Sequence, residues 1–154
     1  MTKQSKQNAM SVVVADDHAV VVKGLLFFLE TADDIWVASV ASTGKEAVAA
    51  TKEHQPQVVL LDLLMPDQPA VETISQIKEV SPESEVIILT SHEGGEYIAD
   101  VLKAGALSYV LKDIAPHDLV EVVRKAAQKE SILNARLAQE LVDGFKDKSR
   151  ELYN

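Results

Sequence analysis

The sequence contains no cysteine. That absence removes disulfides, thiolate metal sites and cysteine nucleophiles together. It is compatible with a cytoplasmic location, which is the expected one. Basic residues are also scarce, with 15 lysines and arginines against 24 aspartates and glutamates and a formal charge of −9. Such a molecule repels phosphate backbones and acidic membrane surfaces, and no local basic stripe offsets the excess. Direct nucleic-acid contact by this chain is therefore not expected. No apolar run approaches the roughly 18 residues a membrane span requires. Residues 1–10 are polar and lack an apolar h-region, so they read as a disordered lead rather than a signal peptide. There is no internal repeat and no low-complexity stretch. Nor does a glycine-rich turn follow the first strand, which argues against dinucleotide binding.

What is present is an ordinary globular composition, 47% hydrophobic and 25% charged over 154 residues. That is one domain's length, with enough chain to bury a core. The most informative stretch is Val58-Val59-Leu60-Leu61-Asp62-Leu63-Leu64-Met65-Pro66. A short continuous apolar run ended by a breaker predicts a strand buried on both faces of a parallel sheet. A carboxylate inside such a run would be costly unpaired. At the strand's end it stands where open α/β sheets collect functional groups.

The rest of the chain repeats the pattern. Val12–Ala15 predicts a first strand, stopping at Asp16-Asp17-His18, and helical spacing follows through Val21, Leu25, Phe28 and Leu29. Ile35–Val40 predicts a second strand with Trp36 half exposed. Ser42-Thr43-Gly44-Lys45-Glu46 supplies a helix N-cap with an acid three residues on. After the central strand, Pro69 opens a helix through Val71, Ile74 and Ile77. Val86–Leu89 predicts a fourth strand ending at Thr90-Ser91. A helix from about Glu96 then stops at Gly105, and Tyr109–Leu111 is a short fifth strand closed by Lys112. A final helix carries Leu119, Val122, Val123, Ala126 and Ala127 on one face. This alternation predicts a doubly wound, five-stranded parallel α/β sheet of flavodoxin-like type. The expected domain covers residues 11–130. Residues 131–154 form a C-terminal extension whose spacing in Leu137, Leu141, Val142 and Phe145 suits a helix or linker.

The strand ends carry the chemistry: Asp16 and Asp17, then Asp62, Thr90 and Lys112. With strands one, three, four and five adjacent, these groups converge on one cleft. Two carboxylates near 4 Å repel by about 4 kcal/mol at an effective dielectric of 20. Either one stays protonated or a cation sits among them. Oxygen ligands favour a hard ion, magnesium or calcium, and magnesium is the better match to phosphate chemistry. Thr90 offers a hydroxyl donor and Lys112 a point charge for a phosphate oxygen. In such a place Asp62 can attack phosphorus and hold an acyl phosphate. A magnesium-dependent aspartyl-phosphate hydrolase is the competing reading. That class typically carries a second acid two residues after its nucleophile, where this chain has Leu64.

These same residues resemble the receiver domain of two-component response regulators. The match lies in Asp16-Asp17, Asp62 with Met65-Pro66, Thr90, Gly105-Ala106, Tyr109 and Lys112. The Asp-Asp-His start and the Leu-Lys-Asp finish look most like the NarL/LuxR-type subgroup. The resemblance implies that Asp62 takes a phosphoryl group from a sensor histidine kinase. It implies a magnesium ion on Asp17 and Asp62, with Asp16 acting through water and the Leu64 carbonyl completing the protein ligands. Thr90 and Tyr109 are implied as the switch pair, with Ser91 as the small residue keeping the site open. The chain departs from the pattern at Pro69 and Ala70, where the family usually has an acidic residue or Asn and then Gly. The loop from Asp67 to Ala70 is therefore expected to be rebuilt. A DNA-binding module of the subgroup's type needs about 60 residues and does not fit after Lys148, so either the effector domain lies outside this chain or the receiver stands alone.

One surface expectation completes the reading. Taking Val21, Leu25 and Phe28 as the core stripe of the first helix leaves Leu26 and Phe27 outside it. With Leu119, Val122 and Val123 of the last helix, they form the expected surface of a phosphorylation-favoured homodimer, which the C-terminal segment around Leu137 to Phe145 either joins or competes for.

Overall fold

The computed structural model describes residues 9–91 and 95–131. Most of the expected lead and the whole helix expected around Asn134 to Lys148 lie outside the described residues. The apolar runs form β1 (Met10–Ala15), β2 (Ile35–Ala41), β3 (Val58–Asp62), β4 (Glu85–Thr90) and β5 (Ser108–Leu111). Between them stand α1 (Ala19–Glu30), α2 (Gly44–His54), α3 (Ala70–Val80), α4 (Gly95–Ala104) and α5 (Pro116–Ala127). The strands pair in parallel in the order β2-β1-β3-β4-β5. This is the flavodoxin-like receiver arrangement expected from the sequence.

The inner strands are apolar throughout because both faces of the sheet are covered. Val13, Ala15, Val59, Leu61, Val86 and Ile88 pack in one core with residues of α2, α3 and α4. Their alternates Val12, Val14, Val58, Leu60, Ile87 and Leu89 pack in a second core with α1 and α5. Fully burying each such side chain is worth about 1.5–3 kcal/mol. These two layers fix the register, since a one-residue slip would exchange every side chain between them. Edge strand β2 is only partly covered, and Trp36 is half-buried as expected.

Local chemistry sets the helix ends. The Thr43 hydroxyl accepts from the Glu46 N–H at 3.0 Å. The Glu46 carboxylate reaches back to accept from the Ser42 N–H and hydroxyl, both at 2.8 Å. Those bonds hold the Glu46 carboxyl below its usual range, the Ser42 backbone donor contributing most. The capping expectation is thus met, with the carboxylate bonded one residue before the cap. Gly105, at φ +123, follows α4 in a conformation that suits glycine.

Three expectations are corrected. Met10 already belongs to β1, because its N–H donates to the Asp34 carbonyl at 2.7 Å. In α1 the buried stripe is Leu25 and Leu29, with Leu26 partly packed against the core, while Phe28 turns toward α5. Leu119, Val122 and Val123 are core residues at most 4% exposed, packed in the layer that also holds β3 and β4. They are not available to a dimer surface. Of the residues expected there, only Phe27 is strongly exposed, at 66%.

Candidate functional site

The strand order reverses direction at β1 and β3, which opens a crevice beyond their carboxyl ends. The register sets Ala15 beside Leu61, so Asp16 and Asp62 leave neighbouring strands at the same level. It also pairs Asp62 with Leu89 and Thr90 with Leu111. Backbone bonds hold the rim: Asp16 N–H to the Ala41 carbonyl at 3.0 Å, Leu63 N–H to Leu89 at 2.8 Å, and Lys112 N–H to Thr90 at 2.8 Å. The sheet therefore delivers the expected residues to one place.

Within it, Asp16 and Asp62 are 2% and 3% exposed. The Lys112 ammonium lies 2.8 Å from Asp16 Oδ2 and 3.3 Å from Asp62 Oδ1. Burial alone would lower the Lys112 pKa, but its bond to Asp16 and the attraction of Asp62 outweigh it and hold the group charged. Asp62 moves the other way from an ordinary carboxyl. Burial raises its pKa most and the Asp16 charge adds to it, while Lys112 and the Leu64 N–H, at 3.4 Å, pull only partly back. Its second oxygen, Oδ2, is buried and has no hydrogen-bond partner among the described residues.

That unpartnered oxygen tests whether a cation fits. Asp16, Asp17, His18 and Asp62 each present one ligand atom, all within 4.8 Å of one another. One lysine stands against three carboxylates, and the oxygen left over is where positive charge is missing. The donors present therefore fit a divalent ion.

Of the other expected residues, Thr90 is buried at the end of β4 and Ser91 is exposed just beyond it. Tyr109 is fully buried, in the core layer that contains Ile98, Val101 and Ala106. Leu64 is 59% exposed on the loop after β3. Pro69 takes φ −63 and ψ 147 at the N-cap of α3, so no residue from Asp67 to Ala70 needs the left-handed region. The loop is tied instead by side chains. The Asp67 carboxylate accepts from the Gly44 and Lys45 N–H groups at 2.7 and 2.9 Å, which lowers its pKa. The Gln68 amide donates to Thr73 Oγ1 at 2.8 Å and to Gln76 Oε1 at 2.9 Å.

Two contributors escaped the sequence reading. His18 Nδ1 lies 3.0 Å from Asp16 Oδ1 and 3.2 Å from Asp17 Oδ1, so the imidazole is part of the pocket. Its signal was its place directly after the acidic pair. Asp67 left no such signal, because its partners lie 23 and 22 residues away.

A buried acid with a lysine and further carboxylates beside it, at the switch point of a 2-1-3-4-5 sheet, is the arrangement of a receiver-type regulatory domain. Residues 12–124 match the response regulator receiver domain family, and the chain belongs to it. It is 44% identical over 112 residues to the transcriptional regulatory protein YhcZ of Bacillus subtilis, covering 73% of this chain and 52% of that protein. It is 37% identical over 142 residues to the oxygen regulatory protein NreC of Staphylococcus epidermidis, covering 92% of this chain and 65% of the relative. The chain thus spans about half to two thirds of the length of these relatives. Among solved structures, a LuxR-family two-component response regulator from Aurantimonas sp. SI85-9A1 superposes with a TM-score of 0.81 at 25% identity, over 88% of this chain and 96% of that one. The domain is of the NarL/LuxR type, a regulatory switch rather than a classical enzyme. Among the described residues no helix is long and apolar enough to cross a membrane.

Proposed function

We propose that Asp62 is the phospho-acceptor of this domain, charged by a sensor histidine kinase in the cytoplasm. A carboxylate oxygen of Asp62 attacks the phosphorus of the kinase phosphohistidine. The P–N bond breaks, its electron pair stays on the imidazole nitrogen, and an acyl phosphate remains on Asp62. The observation that carries this reading is the electrostatics of Asp62: buried beside Asp16, with Oδ1 held by Lys112 and Oδ2 without a donor. Asp17, Asp62 and the Leu64 carbonyl, with Asp16 through water, would hold a magnesium ion, whose charge would neutralise the incoming phosphoryl oxygens. The Lys112 ammonium and Thr90 hydroxyl then bond the transferred group. Thr90 and Tyr109 act as the switch pair, and a DNA-binding effector domain outside this chain reads the result. The hydrolase alternative is disfavoured at Leu64, an exposed apolar residue where that chemistry wants a general acid.

The test is intact-mass measurement after treatment with a small acyl phosphate and magnesium. The mass of one added phosphoryl group, mapped by digestion to Asp62, is expected. Labelling elsewhere, or none, would overturn the assignment.

Magnesium alone should stabilise the protein, because it removes repulsion that only the folded state imposes. At a hundredfold excess over Kd the gain is about 2.7 kcal/mol. Thermal melts with and without the ion measure it, and Asp17→Ala should abolish most of the difference. Equal melting temperatures in wild type would contradict a cation site.

The output surface is proposed to be a homodimer through Phe27 and the cleft between α1 and α5. Phe27 meets the Phe28 ring edge-on at 5.5 Å, and Phe28 lines that cleft with Val120 and Arg124. Sedimentation of phosphorylated protein should show a dimer that Phe27→Glu reduces to monomer. Indifference to that substitution would remove α1 from the interface.

A further inference from the structure

We propose that this pocket also takes a first-row transition-metal dication of the cobalt or zinc class, with His18 Nδ1 as a direct ligand. The inference rests on the metal site proposed above and adds to it a nitrogen donor, which changes the kind of ion preferred. Lys112 occupies the Asp16 Oδ2 and Asp62 Oδ1 side of the carboxylates. That leaves Asp16 Oδ1, Asp17 Oδ1 and Asp62 Oδ2 on the side of the imidazole. Nδ1 is 3.0, 3.2 and 3.9 Å from these three atoms. Ligands about 2.0–2.1 Å from one ion stand about 3.3 Å apart in a tetrahedron and about 3 Å apart at octahedral corners. The four donors therefore already outline a coordination sphere, with Asp62 Oδ2 needing the largest inward shift.

A second observation separates this from a mere acidic cluster. Asp62 Oδ2 is buried and unpartnered, and it faces the imidazole as the most distant of the three oxygens. The His18 position is also set from the backbone, since its own N–H donates to Asp16 Oδ1 at 2.8 Å. The ring is therefore anchored beside the carboxylates while its side chain stays 62% exposed, open to an entering ion. Imidazole is a ligand of choice for cobalt and zinc but adds little for magnesium, which prefers oxygen and retained water. Three carboxylates with one imidazole make the pocket selective for the later ions over magnesium.

The probe is Mn²⁺ in pulsed EPR, which detects a directly bound nitrogen, together with Co²⁺ titration followed by visible absorption. Wild-type protein should show the nitrogen coupling, and His18→Ala should lose it. Co²⁺ affinity should fall at least about tenfold in His18→Ala. Mg²⁺ affinity, read by its competition with Mn²⁺, should change less than about twofold, because its ligands are oxygens. If Mg²⁺ and Co²⁺ bind both proteins alike and no nitrogen coupling is seen, the His18 ligand is refuted while the oxygen-only site stands. If neither ion binds either protein, the metal site fails and this inference fails with it.

Discussion

In the Asp62→Asn protein, acyl-phosphate labelling should vanish while the fold becomes more stable. The first effect follows because an amide oxygen is a far weaker nucleophile than a carboxylate, and no other described carboxylate shares the buried contact with Lys112 except Asp16. The second follows from burial and the Asp16 charge, which together raise the Asp62 pKa. A carboxyl raised above its unfolded value contributes stability that is fully present below the unfolded pKa. That stability is lost as pH rises through the folded value, so ionisation of Asp62 works against the fold. Replacing it by the neutral amide should add on the order of 1 kcal/mol without metal, the remainder of a repulsion that Lys112 partly offsets. The loss of stability that Asp62 causes as pH rises through its folded value should disappear as well. Urea titrations across pH, run beside intact-mass labelling, measure both effects. A labelled variant would move the acceptor elsewhere, and a destabilised one would mean that Lys112 already balances the site.

The Lys112→Met protein should show the largest loss of stability of any single change in the pocket. Lys112 is 11% exposed and lies between two buried carboxylates. Removing one partner of a buried ion pair leaves the other charge uncompensated, at a cost of about 3–5 kcal/mol. Magnesium should recover part of the loss, because a dication can stand where the ammonium stood. Low pH should recover part too, since protonating Asp62 removes the charge that lost its partner. Some acyl-phosphate labelling should remain, because the nucleophile is untouched, but dimerisation should no longer follow it. Urea midpoints with and without magnesium decide the matter. A midpoint within experimental error of wild type would show that Lys112 is not the counterion that the distances indicate.

The sheet was legible because buried parallel strands leave little freedom in their composition. Val58 to Leu61 and Val86 to Leu89 are apolar at every position since both faces are covered. Once the strand ends were placed, Asp16, Asp62, Thr90 and Lys112 followed from topology alone. The outward face of α1 was less legible. Leu25, Leu26, Phe27, Phe28 and Leu29 are all apolar, so periodicity could not say which of them turn inward. In α5 the expected face was identified correctly, but its role was not. Leu119, Val122 and Val123 belong together because they pack on the sheet, and packing leaves nothing for a partner. His18 and Asp67 act through contacts that depend on how loops fold back, which a strand-and-helix pattern does not encode.

The bond between Asp67 and the first amides of α2 also bears on motion. Two segments that leave the sheet, one after β2 and one after β3, share two charge-assisted contacts, both from a single carboxylate to the Gly44 and Lys45 N–H groups. The first turn of α2 cannot fray while Asp67 is in place, and Asp67 cannot swing away without exposing those amides. The two stretches therefore open as one cooperative unit. Amide hydrogen exchange at Gly44 and Lys45 then reports on the loop behind Asp62 from more than a dozen residues before it in the chain. Those two protons are a native clock for how often the rim of the pocket comes undone.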